Sequence, residues 1–255
     1  MENIFGIKHH SASSINSFIE YRSKWYINKI KGIKLPFGHA AARGTACEHG
    51  MNHFLSVSKN IDECVSEALK KFTSETMGLS DNFDIRQSIG RCVSAGIESF
   101  KQRGYDDDET RLQEKISITL DGCSLPTIGY LDYLRPDRVI DNKCVSKTPS
   151  MTKDKKRHVH KQAYVLQGAI YWAATGLKPY FHYVIPLKDE VKIVEAVVTD
   201  DDLEWGIKYA TKAAQMMERI YENPIDGSLM DAFFLPNADA LFGDEIGTIL
   251  SEFDL

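Results

Sequence analysis

From Leu112 the apolar residues stop recurring every three or four positions and begin to alternate, and this change of period limits the fold more than any other feature. Three successive strands follow. They cover Leu112–Leu120, Thr127–Leu134 and Arg138–Lys143, separated by Asp121-Gly122 and Arg135-Pro136-Asp137, and a meander is the simplest connection. Upstream the patterns are helical. Ser11-Ala-Ser13-Ser14 caps a first helix with Ile15, Phe18, Ile19 and residues 21–30 as its body, and Gly32 with Pro36-Phe37-Gly38 ends it. Further helices are expected at His39–Val57, Asp62–Glu75 and Asn82–Arg103. Downstream, the loop Cys144–Arg157 leads to a helix from about His158 to Thr175, then to strands Tyr180–Pro186 and Val191–Val198, and to a last helix, Leu203–Tyr221, capped from Thr199. The order implies an α/β (α+β) fold, a central mixed sheet of about five strands flanked by helices, with a helical N-terminal elaboration. One domain is expected over residues 1–255, with 1–110 as a helical cap or arch, 111–222 as the sheet core and 223–255 as an acidic tail.

An apolar content of 43% is ample for a packed core, and no apolar run approaches the roughly 20 residues of a membrane span. Met1–His10 lacks a signal-peptide layout, so a cytoplasmic protein without membrane contact is expected. The five cysteines are scattered, odd in number and without a C-x-x-C pair. They read as reduced thiols, neither a disulfide framework nor a zinc site. The formal charge of −5 is uneven: the stretch from Asp226 holds seven of the 36 acidic side chains and none of the 31 basic ones. The body is therefore slightly basic, and the tail is a candidate contact for a basic protein partner. Oligomeric state is not fixed by any of these features.

Chemistry concentrates between Leu125 and Lys147. The first of two short strands there carries Asp132 and the second Asp141 and Lys143, which lie two apart and so share a face. Two carboxylates and an ammonium on one surface are costly unless a divalent cation and an anion, such as a phosphate, sit among them. Glu48 offers a third carboxylate, and His49 beside it is an alternative ligand. Directly downstream, Lys147, Lys153, Lys155, Lys156, Arg157 and Lys161 face only Asp154 as a nearby opposite charge, a footprint suited to phosphates. On the next helix His160, Tyr164, Gln167 and Tyr171 fall on one face, where Gln167 and Tyr171 are placed to hold Lys143 or bind a phosphate. Trp25, Tyr26 and Phe37 are candidates either to stack on bases or to fill the core.

Five stretches then bring in a family. They are Arg43-Gly-Thr-Ala-Cys-Glu48, Gly129-Tyr-Leu-Asp132, Val139-Ile-Asp141-Asn-Lys143, Ser146-Lys-Thr-Pro-Ser150 and Gln167-Gly-Ala-Ile-Tyr171. In this order the chain resembles the PD-(D/E)XK nuclease superfamily, in its RecB-like and phage-type exonuclease branch, over about residues 11 to 176. The resemblance implies metal binding by Asp132, Asp141 and the Asn142 carbonyl, with Lys143 as the catalytic lysine and Gln167 and Tyr171 as the motif on the adjoining helix. Many RecB-like members have histidine at the position of Glu48, so Glu48 and His49 both stand as ligands. Ser11, Ser13 and Phe18 resemble the family's opening helix, and Ser11, Ser13, Arg43, Lys147, Thr148, Ser150 and His160 join the basic loop as DNA contacts. Cysteines at the family's cluster positions are missing, so no iron–sulfur cluster is expected. The implied cofactor is Mg²⁺, with Mn²⁺ as a substitute, and the implied partner is DNA with single-stranded ends. An endonuclease of the same fold, acting on single strands or on particular DNA structures, and a non-catalytic DNA-binding module are the alternatives.

Overall fold

Strands form where the period changes, and they join in one mixed sheet. The computed structural model describes residues 5–35, 38–222 and 234; most of the acidic tail and Phe37 lie outside the described residues. Among the described residues the six strands are β1 (His10–Ser11), β2 (Arg111–Thr119), β3 (Pro126–Leu134), β4 (Arg138–Cys144), β5 (Lys178–Pro186) and β6 (Val191–Val197). β2 runs antiparallel along β3, β3 pairs antiparallel with β4, β4 parallel with β5, and β5 antiparallel with β6. A parallel pair cannot be closed by a hairpin. The crossover between β4 and β5 is a helix, α6 (Gln162–Thr175). β1 adds a sixth strand to the expected five, pairing parallel with Thr127 and Ile128. Two residues are too few to show a period.

The other helices are α1 (Ala12–Glu20), α2 (Arg22–Trp25), α3 (His39–Ser56), α4 (Ile61–Glu75), α5 (Phe83–Arg103) and α7 (Asp200–Glu222), with a π-helical turn at Tyr26–Ile30. Their ends follow local chemistry. The Ser11 hydroxyl accepts from the Ser14 amide while the Ser14 hydroxyl takes the Ser11 amide, and Asn60 and Asn82 cap α4 and α5 with their side chains. Gly104 and Gly176 end α5 and α6 at φ 65° and 72°, a region glycine enters without penalty. Two expectations need correction. The first helix breaks at Tyr21, whose φ and ψ of −144° and 74° are not helical. The helix after the basic loop starts at Gln162 rather than His158, because His158 bridges back to Met151 and closes the loop into a small hairpin.

Side-chain alternation along β5 shows how the layers stack. Phe181, Tyr183 and Ile185 pack towards α6 and the start of α7, whereas Val184 joins Tyr133 and Ile140 in the core shared with α3, α4 and α5. A strand buried on both faces lies between two helical layers. The helical segment therefore covers one face of the sheet and shares its core. On the other face α1, α2, α6 and α7 close over Leu131, Leu134 and Val139. Trp25 and Tyr26 are core residues there, packed with Phe234, so they are not free to stack on bases.

Two buried polar links fasten the layers. Glu218 of α7 accepts from the Ser124 and Leu125 amides at 2.7 and 2.8 Å and meets His10 of β1 at 3.0 Å, which ties α7 to the start of β3. Burial opposes its charge, but these partners hold the Glu218 carboxyl below its ordinary value. His182 joins α5 to the sheet. Arg103 donates to the Ser99 hydroxyl at 2.6 Å, so that hydroxyl donates to His182 Nε2 at 2.9 Å and leaves Nδ1–H for Asn142 Oδ1 at 3.0 Å. Burial, and then the Arg103 charge, lower the His182 pKa to about 3.

The sign of the resulting pH dependence follows. Unfolded His182 takes a proton near the ordinary histidine value of 6.5 whereas the folded ring refuses it down to about 3, so stability falls as pH drops through this window. The loss is on the order of 4 kcal/mol at the acid end. His10, also lowered by burial, acts in the same direction. Thermal melts from pH 7 to pH 4 are expected to show this slope, and His182→Gln to flatten it; a flat natural-sequence profile contradicts the assignment.

Candidate active site

The site begins where a ladder stops. β3 and β4 pair only at Tyr133 with Ile140 and Leu134 with Val139. Beyond this the Asn142 amide donates to Asp132 Oδ2 at 2.8 Å, so a side chain replaces the missing main-chain acceptor. Asp141 sits beside the gap, fully buried. The Lys143 ammonium pairs with its Oδ2 at 2.5 Å, while Oδ1 has no hydrogen-bond partner among the described residues. A buried oxygen of this kind calls for another partner.

A polar chain holds Lys143. Its ammonium donates to Gln167 Oε1 at 3.0 Å, Gln167 Nε2 donates to the Tyr171 hydroxyl at 2.7 Å, and that hydroxyl donates to the Tyr130 carbonyl at 3.0 Å. Burial, and then the Asp141 charge, raise the Tyr171 pKa, which keeps the hydroxyl a donor. The Tyr171 ring lies across Gly129, where a Cβ would come within 3.0 Å of it. Any larger residue would push the ring off β3. Tyr164 places its ring 5.0 Å from the Lys143 ammonium. The Asn142 side chain points elsewhere, to His182 and to the Met51 sulfur, so what it has near the carboxylates is backbone.

The structure separates Glu48 from its neighbour. Asp141 and Lys143 act electrostatically on Glu48, whereas exposed His49 feels Lys71, Glu67 and His53 and so faces α4. Gln113 of β2 donates to Glu48 Oε1 at 2.7 Å. It does so from an unusual backbone: φ is 50°, and the β2–β3 ladder skips Gln113 opposite Asp132, pairing Leu112 with Tyr133 and Glu114 with Leu131. Left-handed backbone at a non-glycine residue marks a position held by its surroundings. Nothing in the chain's pattern marks Gln113, because a polar residue in an alternating strand reads as its solvent face.

Burial, then Asp141 and then Glu48, push the Asp132 carboxyl well above its ordinary value, and burial followed by Asp141 raises Glu48. Burial opposes the Lys143 charge, but Asp141 and Asp132 outweigh it and raise the pKa. Three carboxylates against one ammonium leave two negative charges in excess when all are ionised. With Oδ1 of Asp141 unpartnered among the described residues, this oxygen-only set fits a divalent cation such as Mg²⁺ or Mn²⁺.

On the open side of Lys143 is a cavity of about 750 Å³, and its lining includes Arg43, Lys147, Thr148, Ser150, His160 and Tyr164. The Arg43 guanidinium donates to the Ser146 hydroxyl at 2.9 Å, and His160 pairs with the Tyr183 hydroxyl at 2.8 Å. Other expected contacts lie apart from it. Lys153, Lys155 and Lys156 are exposed outside the lining, and Arg157 is engaged by Asp202 of α7 at 2.9 Å. Ser11 and Ser13 bond each other at the α1 cap. They lie beside Ile128, about 13 Å along β3 from Asp132.

A test of Gln113 separates strain from position. Glycine takes φ 50° freely, so Gln113→Gly is expected to melt no lower than the natural protein while binding Mg²⁺ about tenfold more weakly, as Glu48 loses its orienting amide. Unchanged affinity in a magnesium titration argues against this role.

No family model matches the sequence, and no protein of curated function does. Among solved structures, the chain is similar to a proposed exonuclease from Eubacterium rectale, at 14% identity and a TM-score of 0.55, covering 86% of this chain and 83% of the other. It also aligns with SSO0001 at 15% identity over 75% of this chain and 91% of that one, but the TM-score of 0.31 carries no argument. The arrangement of helices and strands seen here is thus shared with the Eubacterium rectale protein.

Proposed function

We propose that this protein is a Mg²⁺-dependent deoxyribonuclease of the PD-(D/E)XK type, an exonuclease that hydrolyses phosphodiester bonds from single-stranded DNA ends in phage-type recombination, repair or DNA degradation. The observation that carries the reading is Asp141, buried beside Asp132 and Glu48 with Oδ1 unpartnered among the described residues and Oδ2 held by the suspended ammonium of Lys143. The shared fold with a proposed exonuclease and the order of the sequence motifs support it.

Asp132, Asp141 and Glu48, with the Asn142 carbonyl, would hold the cation, whose chemistry is to polarise a phosphoryl oxygen and stabilise the charge that develops there. Lys143 acts as an ammonium, since its neighbours raise its pKa. It orients the attacking water and offsets charge on the phosphate. Gln167 is its fixed acceptor, and Tyr171 prevents the amide from turning. Arg43, Lys147 and His160 line the cavity where the strand backbone would lie, which positions the substrate without reading its bases.

End-labelled DNA with Mg²⁺ tests the reading. Lys143→Ala and Asp141→Asn are each expected to lose about a hundredfold or more in rate. Asp141→Asn should also melt no lower than the natural sequence without metal, because it relieves the repulsion that Asp141 exerts on Asp132 and Glu48 and still leaves two carboxylates to balance Lys143. Full activity in either variant rejects the assignment. Closed circular single-stranded DNA is expected to survive while linear DNA is degraded, and cutting of the circle would replace the exonuclease with an endonuclease.

A further inference from the structure

We propose that Cys47, Cys92 and Cys144 form a zinc site distinct from the carboxylate cluster. The three come from α3, α5 and β4, and their sulfurs lie within 4.8 Å of one another. Zinc–sulfur bonds of about 2.3 Å place thiolates some 3.7–4.0 Å apart around one ion, so movements of about 1 Å bring these sulfurs to ligating distance.

Buried thiols often serve only as small apolar groups, and Cys47 and Cys92 are indeed fully buried. What sets this cluster apart is the cation inside it. Arg43 is 5% exposed, its positive charge acts on Cys92 and Cys144, and its Nε–H has no acceptor among the described residues. A buried guanidinium with an unsatisfied donor calls for an anionic neighbour, and a thiolate complex supplies one. Three thiolates around one Zn²⁺ carry a single negative charge, which Arg43 neutralises. The thiol protons leave to solvent as the ion binds.

The site also has an entrance. Cys144 and Arg43 both line the 750 Å³ cavity, so an ion can arrive from solvent and a water can complete the fourth position from that side. Sulfur donors select a soft ion and reject Mg²⁺, whereas the nearby oxygen set does the reverse. Cys47 precedes Glu48 and Cys144 follows Lys143 in the chain. A bound zinc would fasten α3, α5 and β4 to one another next to the site proposed for catalysis.

The experiment uses the full chain, purified reduced, stripped with chelator and titrated with Zn²⁺ while excess Mg²⁺ is present. After gel filtration, one zinc per chain is expected by atomic emission in the natural sequence and in Asp141→Asn. In Cys92→Ser, affinity should fall at least about a hundredfold. Zinc should protect three thiols from alkylation, and Co²⁺ in its place should give thiolate-to-cobalt charge-transfer absorption. If the natural chain retains no zinc and shows no such absorption, the site does not exist. Loss of the ion in Asp141→Asn with retention in Cys92→Ser would assign it to the carboxylates instead. Should Cys92→Ser fail to fold, the cobalt spectrum and thiol protection of the natural chain decide alone, independently of any nuclease activity.

Discussion

β3 and β4 part after two residue pairs, and the other elements are arranged around that gap. A ladder continued past Tyr133 and Ile140 would satisfy the Asn142 amide with a carbonyl and leave no space for carboxylates. Here the Asp132 side chain takes that amide, and the strands part around it. β4 then follows β5, with which it pairs along its whole length, and β1 occupies the side of β3 that β4 has left. The unusual topology and the acidic cluster are two views of one local exchange of hydrogen bonds.

Helices stabilise this opening from both faces. On one, α3 brings Glu48, and α5 fixes the Asn142 side chain through Ser99 and His182. On the other, α6 supplies Gln167 and Tyr171 to hold Lys143. The site itself contributes instability, with three acids near one another against one ammonium. The surrounding packing of Phe100, Tyr133 and His182 on one side, and of Trp25, Tyr221 and Phe234 on the other, offsets that cost.

Sequence made much of the fold legible because period and caps are local. Asn60, Asn82, Gly104 and Gly176 bound helices close to where composition puts them, and β2 to β6 coincide with the alternating runs. What stayed hidden was either very short or long-range. β1 has two residues, and the break at Tyr21 follows no helix-breaking residue. Asp141 and Lys143 were readable as a pair because they are two apart on one strand. Gln113, Arg43 beside the thiols, and the meeting of Cys47, Cys92 and Cys144 depend on elements far apart in the chain, for which spacing holds no signal. The basic run was readable as charge, but not that Arg157 would be engaged by Asp202.

The polar chain from Lys143 to the Tyr130 carbonyl runs in one direction only. Its last acceptor is a main-chain oxygen that cannot donate, so Tyr171 must donate to it, Gln167 must turn its amide nitrogen towards Tyr171, and only the carbonyl of that amide is left for the ammonium. A glutamate at position 167 would fit the same space but break this grammar. A carboxylate has no hydrogen to give Tyr171, whose hydroxyl would turn to it and abandon β3. Amide and acid, nearly identical in shape, are thus opposites here, and the distinction is written by the backbone of a neighbouring strand.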